Sequence, residues 1–119
     1  MLYTSGGPIN ETEQIFLRKE YKMDVKACLQ ITMKIKTGNR NAAAKVYSDF
    51  REPFLARIPG ALTKQLLVRN EDVQVLHGFD SVKNARAYLD SDMFRDDVFI
   101  GLKDLWDIPP DVRIYECIQ

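Results

Sequence analysis

The stretch Val73-Gln74-Val75-Leu76-His77-Gly78-Phe79-Asp80-Ser81, running on through Val82, Ala85, Tyr88 and Leu89, decides the fold. In its first seven residues Val73, Val75, His77 and Phe79 share one parity and Gln74, Leu76 and Gly78 the other, the period of two of a pleated strand. After Asp80, Ser81 stands in capping position and the apolar residues switch to helical spacing at once. With no spare residue between strand and helix, the helix must fold back onto the sheet it has just left. By parity, His77 faces those helices.

Working outward, an earlier unit repeats the pattern. Val25, Ala27, Leu29, Ile31, Met33 and Ile35 alternate with Lys26, Cys28, Gln30, Thr32, Lys34 and Lys36, which predicts a strand over 24–36 with one wholly apolar face. Thr37-Gly38-Asn39 breaks it. A helix starting near Arg40 carries Ala43, Val46, Tyr47, Phe50 and Phe54 at helical spacing. Pro53 has no amide proton and crowds the preceding turn, so a kink or a fresh helical turn is expected there before Ile58-Pro59-Gly60 ends the element. Ala61 to Arg69 and Asp72 to Phe79 read as an antiparallel hairpin about Asn70-Glu71. Beyond Leu89, Ser91 and Asp92 offer a second start for a helical segment carrying Met93, Phe94, Val98, Leu102, Leu105 and Trp106. Ile108-Pro109-Pro110 stops it, and alternation from Val112 to Ile118 gives the last strand.

Strand, helix, strand, strand, helix, strand is the order of a ferredoxin-like α+β fold, a four-stranded antiparallel sheet with both helices on one face. The domain is expected over 25–119, with 1–24 as an N-terminal tail or arm. Within that arm, Met1 to Ile9 reads as a tail. Residues 10–23 give a divided signal: Asn10 with Glu13 has the spacing of a capped helix, whereas Ile15, Leu17, Tyr21 and Met23 keep strand parity with Val25. The reading here leans to a strand or arm.

The sheet face turned from the helices still carries Cys28, Leu76, Tyr115 and Leu66 or Leu67, too apolar to be left in water, so a second copy packed sheet to sheet is expected. In the same sheet the first strand's start lies beside the last strand's end. Cys28 therefore falls near Cys117, either as a redox pair or as two reduced, half-buried side chains, and the latter suits a cytosolic chain.

Composition excludes several classes. The 119 residues are 45% hydrophobic and 29% charged, ordinary globular usage. With 17 basic and 17 acidic residues mixed along the chain, there is no electrostatic footprint for nucleic acid or anionic lipid. No apolar run is long enough to span a bilayer, and the start lacks the layout of a signal peptide, so no membrane partner and a cytoplasmic address are expected. Glycine-rich phosphate loops, cysteine and histidine metal clusters, and nucleophilic serine motifs do not occur, so no metal and no cofactor are expected.

Three stretches carry a family resemblance. Ile58-Pro59-Gly60, Phe79-Asp80-Ser81 and Ala87-Tyr88-Leu89-Asp90-Ser91-Asp92-Met93-Phe94 resemble the antibiotic biosynthesis monooxygenase family of dimeric α+β barrels, over roughly Lys26 to Gln119. The resemblance implies a homodimer whose two sheets form a barrel, and a pocket in each protomer between sheet and helices. It also implies one of several activities, since members include cofactor-independent monooxygenases of polycyclic phenols and quinones, haem-degrading monooxygenases, small-molecule isomerases and many proteins with no assigned reaction. The haem-degrading branch fits poorly. Tyr88 stands where that branch carries tryptophan, and Val98, which cannot ligate iron, stands where it carries the iron-binding histidine.

His77 is the one histidine of the chain, so imidazole acid or base work on a phenol falls to it, the alternative being a core histidine satisfied by a neighbour. Tyr47, Phe79, Tyr88 and Trp106 are the expected walls for a small apolar or aromatic ligand, or else plain core. Arg69 and Arg113 are candidates to orient an anionic substrate, or exposed strand arginines. Two readings of function stay open beside the monooxygenase: a non-catalytic homodimeric binder of a small ligand, and an isomerase using the same pocket.

Overall fold

The computed structural model describes residues 8, 10–20 and 24–118, and for 16–20 the backbone alone. The expectation of a tail over Met1 to Ile9 lies outside the described residues, apart from Pro8. In chain order come α1 (Glu11–Glu20), β1 (Ala27–Met33), α2 (Arg40–Arg57), β2 (Ala61–Val68), β3 (Val73–Phe79), α3 (Val82–Leu89), a π-helical segment (Met93–Val98) continued by α4 (Phe99–Leu102), and β4 (Asp111–Glu116).

The sheet order is β2-β3-β1-β4, every neighbouring pair antiparallel, which is the ferredoxin-like arrangement. Parity works as expected. Along β1 every odd residue from Ala27 to Met33 is buried and every even one half-buried. Ile35 extends the strand's reach by a single bridge to Trp106, bringing the loop before β4 over the end of the sheet. The hairpin between β2 and β3 is tied down by Arg40, whose guanidinium donates to the carbonyls of Arg69 and Asn70 at 2.7 and 2.8 Å. That bond set joins the start of α2 to the hairpin turn.

Two expectations about helices are corrected. Residues 11–20 form a helix, not a strand, because the capping box closes: Glu13 N–H donates to Asn10 Oδ1 at 2.7 Å, and Asn10 N–H to Glu13 Oε1 at 3.3 Å. The helix is held by the core, with Ile15 packed on it and Arg57 of α2 bonded to Glu11 at 2.9 Å. Tertiary packing and a cap outweigh the strand parity of a few apolar residues. In α2, of the kink or fresh turn expected at Pro53, the fresh turn does not occur. The helix is a single run of 18 residues with Pro53 inside it, and the buried pair Phe54 and Leu55 anchors the turn that the proline weakens.

Gly60 ends the α2 to β2 link at φ +78°, the left-handed region that glycine enters without a side-chain clash, and its carbonyl accepts from Asp80 N at 3.0 Å. Ser81 caps α3 as expected, its Oγ accepting from Asn84 N at 3.0 Å. Ser91 then works in two directions, donating to the Tyr88 carbonyl at 2.6 Å and accepting from Phe94 N at 3.2 Å. It thereby splices α3 to the π-helical segment, whose wider turn is an uncommon feature often found beside binding sites.

Candidate functional site

The helix-facing side of the sheet does not close completely. A cavity of about 40 Å³ lies between β1, β2 and β3 on one side and α2, the π-helical segment and α4 on the other. That is room for a few water molecules. Ile31, Met33, Val73, Val75 and Leu66 form its floor, and Phe94, Phe99 and Trp106 stand at its outer wall. The last two rings meet edge to face at 5.4 Å.

His77, Tyr47 and Trp106 all line this cavity. Phe79 and Tyr88 do not; they are core residues behind it. Tyr88, 1% exposed, sits with Phe54 at 4.9 Å and Phe94 at 5.3 Å between ring centroids, and Phe79 packs on Phe54 at 5.5 Å. Strand parity sends Phe79 and His77 to the same side, but Phe79 lies two residues further on, at the strand end where it meets Tyr88 of α3, and does not line the cavity. The Tyr88 hydroxyl is buried with no hydrogen-bond partner among the described residues. Burial alone pushes its ionisation well above the usual phenol range.

His77 is 2% exposed, and its Nδ1 lies 3.1 Å from the Leu29 carbonyl oxygen. A carbonyl only accepts, so Nδ1 carries the proton and Nε2 keeps its lone pair. Burial, and then the positive charge of Lys64, lower the imidazole to about 3, against a weaker upward pull from the Leu29 bond. The ring is therefore neutral at physiological pH. It can accept a hydrogen bond at Nε2, yet it holds a full proton poorly.

Beside it stands a residue the sequence reading passed over. Lys64, the register partner of His77 across β2 and β3, is 3% exposed and lines the same cavity. Its Nζ lies 4.9 Å from the Phe54 ring centroid and 5.8 Å from that of Tyr47. Among the described residues it has no ion pair and no side-chain hydrogen bond. Burial, reinforced by the Arg51 charge, lowers the ammonium to about 8. Tyr47 spends its hydroxyl proton on the Lys64 backbone carbonyl at 2.9 Å, fixing α2 against β2 at this point. A signal was present in the sequence, since Lys64 shares its parity with Leu62, Leu66 and Val68, an otherwise apolar register.

The remaining candidates lie elsewhere. Arg69 pairs with Asp72 at 2.8 Å and Arg113 with Asp111 at 3.0 Å, both exposed and away from the cavity. Cys28 and Cys117 do meet, Sγ to Sγ 3.3 Å, on the outer face of the sheet. Burial, then the bond and charge of Cys117, push the Cys28 thiol up to about 11, so it is a poor nucleophile at neutral pH. No group of side chains able to hold a metal ion occurs among the described residues. No helix among them is long and apolar enough to cross a membrane.

The sheet, its helical roof and the cavity between them define a small α+β protein of the ferredoxin-like class with the fold of the antibiotic biosynthesis monooxygenases. A Nitrosomonas europaea protein provisionally named as such an enzyme is 16% identical and superimposes with a TM-score of 0.68, over 78% of this chain and 99% of its own. A Caulobacter crescentus CB15 protein with the same provisional name is 17% identical, with a TM-score of 0.70 over 82% of this chain and 93% of its own. The monooxygenase from the gene ActVA-Orf6 of Streptomyces coelicolor, solved with the ligand nanaomycin D, is 13% identical, with a TM-score of 0.68 over 80% of this chain and 89% of its own. No family model matches the sequence, and no curated protein does. At these identities the likeness is one of fold.

Proposed function

We propose that this chain is a monooxygenase-like enzyme that works without a bound cofactor on a small hydroxylated aromatic or quinone-like compound. The observation that carries the reading is the composition of the cavity wall: aromatic rings of Tyr47, Phe94, Phe99 and Trp106 around two buried nitrogen groups, His77 and Lys64. Flat apolar walls with few polar groups suit a fused-ring ligand, and the polar groups fix its orientation. The nanaomycin D complex of a protein with this fold points the same way.

In the proposed reaction the hydroxyarene loses its phenolic proton, and a ring carbon of the resulting anion gives up electrons to molecular oxygen. One oxygen atom stays on that carbon as a carbonyl, and the other leaves as water with the hydrogen formerly on that carbon and the phenolic proton. His77 accepts a substrate hydroxyl at Nε2 and so orients the ring. A naphthalene-sized substrate exceeds the present cavity, so its binding requires the outer wall of Phe99 and Trp106 to swing outward.

The protein is proposed to act as a cytosolic homodimer. Leu67 and Tyr115, 44% and 47% exposed, share the outer sheet face with half-buried Leu76 and Cys28, and a second copy packed there removes an apolar surface from water. Following oxygen uptake on dihydroxynaphthalenes tests the reaction, with one hydroxynaphthoquinone expected per oxygen molecule consumed and a loss of roughly 100-fold in kcat for His77→Ala as the ring loses its orientation. Unchanged turnover would remove His77 from the mechanism. The narrowness of the cavity favours a second reading, a non-catalytic binder of a small apolar ligand. Saturable binding with no oxygen consumption would select it.

A further inference from the structure

Lys64 raises a question that the oxygenase reading leaves unanswered. An ammonium group taken from water is retained in folded proteins when a counter-ion or a set of acceptors replaces its hydration. Here neither is provided among the described residues. The charged or titratable groups around Lys64 are Arg51 and Tyr47 on α2 and His77 on β3: one cation, one hydroxyl already committed as a donor, and one imidazole kept neutral. No carboxylate pairs with it from β3, from α2 or from the described part of the helical roof. The two ring faces near Nζ give a cation–π attraction that offsets only part of the lost hydration. Among the described residues the site lacks a negative charge, and a ligand entering the cavity can supply one.

We infer that this cavity takes its ligand as an organic oxyanion, an ionised hydroxyarene, with Lys64 as the ion-pair partner and proton acceptor and His77 as a neutral acceptor for a second hydroxyl. The inference rests on the proposed function for the ligand's flat shape, but it does not require that oxygen react. The proton balance is simple. At pH 7 most of Lys64 is ammonium, which pairs with the oxyanion once the phenol has released its proton to water. In the smaller amine fraction the nitrogen takes that proton directly, an N–H bond forming as the O–H bond breaks, and either way the product is an ammonium and oxyanion pair in the cavity. The choice between the two bases follows from their environments. A phenol ionises near 10, so transfer to an imidazole held near 3 faces a gap of about seven units, and transfer to an amine near 8 a gap of about two. The product pair then gains from the low dielectric that made the lone ammonium costly.

The test is to titrate 2-naphthol with the full chain at pH 7 and record the absorbance band of naphtholate, which free naphthol does not show at that pH. Bound ligand is expected to show the band. Lys64→Met and Lys64→Gln, checked for folding by circular dichroism, are expected to lose it and to bind about 10- to 100-fold more weakly, the worth of one charge-assisted bond. Naphthalene, which has no ionisable group, is expected to bind wild type and variants alike. A band retained in both folded variants, naphthol bound only in its neutral form, or no binding at millimolar naphthol would each overturn the inference. Naphtholate bound without oxygen uptake would leave it standing and end the oxygenase reading. Oxygen uptake undiminished in Lys64→Met would do the reverse.

Discussion

Replacing Lys64 by Met is expected to make the protein more stable, and by an amount that depends on pH. The Lys64 stem already packs among apolar side chains, and Met matches its length without the charge, so little packing is lost. The electrostatic part follows from the ammonium's shift from 10.5 to about 8 on folding. Between those values the unfolded chain binds more protons than the folded one, so wild-type stability rises as pH is raised from 8 to 10.5. At 1.36 kcal/mol per unit, the 2.5-unit difference corresponds to about 3 kcal/mol. Below pH 8 the whole penalty is present, and above 10.5 none of it. Lys64→Met should therefore exceed wild type by up to about 3 kcal/mol at pH 7, a large share of the 5 to 15 kcal/mol typical of a domain, and the gap should close by pH 10.5. Urea unfolding of both proteins at pH 7, 9 and 10.5, followed by far-ultraviolet circular dichroism, measures it. Every other ionisable group is common to both chains, so the difference between the two proteins is the quantity to read. A variant less stable than wild type at pH 7, or a gap independent of pH, would refute the reasoning by showing that the ammonium is compensated in the free protein.

Three further outcomes are expected. His77, neutral in the fold with its imidazole near 3 instead of 6.5, should make the protein lose up to about 5 kcal/mol as pH falls from 6.5 to 3, and His77→Phe should flatten that acid limb in the same unfolding assay. Tyr88→Phe removes a buried hydroxyl without a partner and should leave stability unchanged or raise it by about 1 kcal/mol; a thermal scan showing a loss above 1 kcal/mol would mean that the hydroxyl is satisfied after all. Leu67→Asp combined with Tyr115→Asp places charge on the outer sheet face and should convert a dimer into monomers in sedimentation velocity; an unchanged sedimentation coefficient would place the dimer contact elsewhere.

The sheet order and the side on which each strand residue falls were readable in the sequence, because a pleat sends alternate residues to opposite faces whatever surrounds them. Val25 to Ile35, the Ser81 cap and the Asn70-Glu71 turn are local features, and together they select the ferredoxin-like order, the inward direction of His77 and the meeting of Cys28 with Cys117. The resemblance over Lys26 to Gln119 pointed to the same fold. The parity of 11–20 misled, since a short apolar set fits either period and the choice fell to the Asn10 cap and the contact of Ile15 with the core. Only the tertiary structure separated wall from core along one register, setting His77 at the cavity and Phe79 and Tyr88 behind it, because position along a strand matters as much as its face once α3 covers one end. It alone revealed Lys64 as a buried cation and His77 as a neutral ring. An ionisation constant depends on every group within reach through a medium of low dielectric, and those groups come from β2, β3 and α2, which only folding brings together.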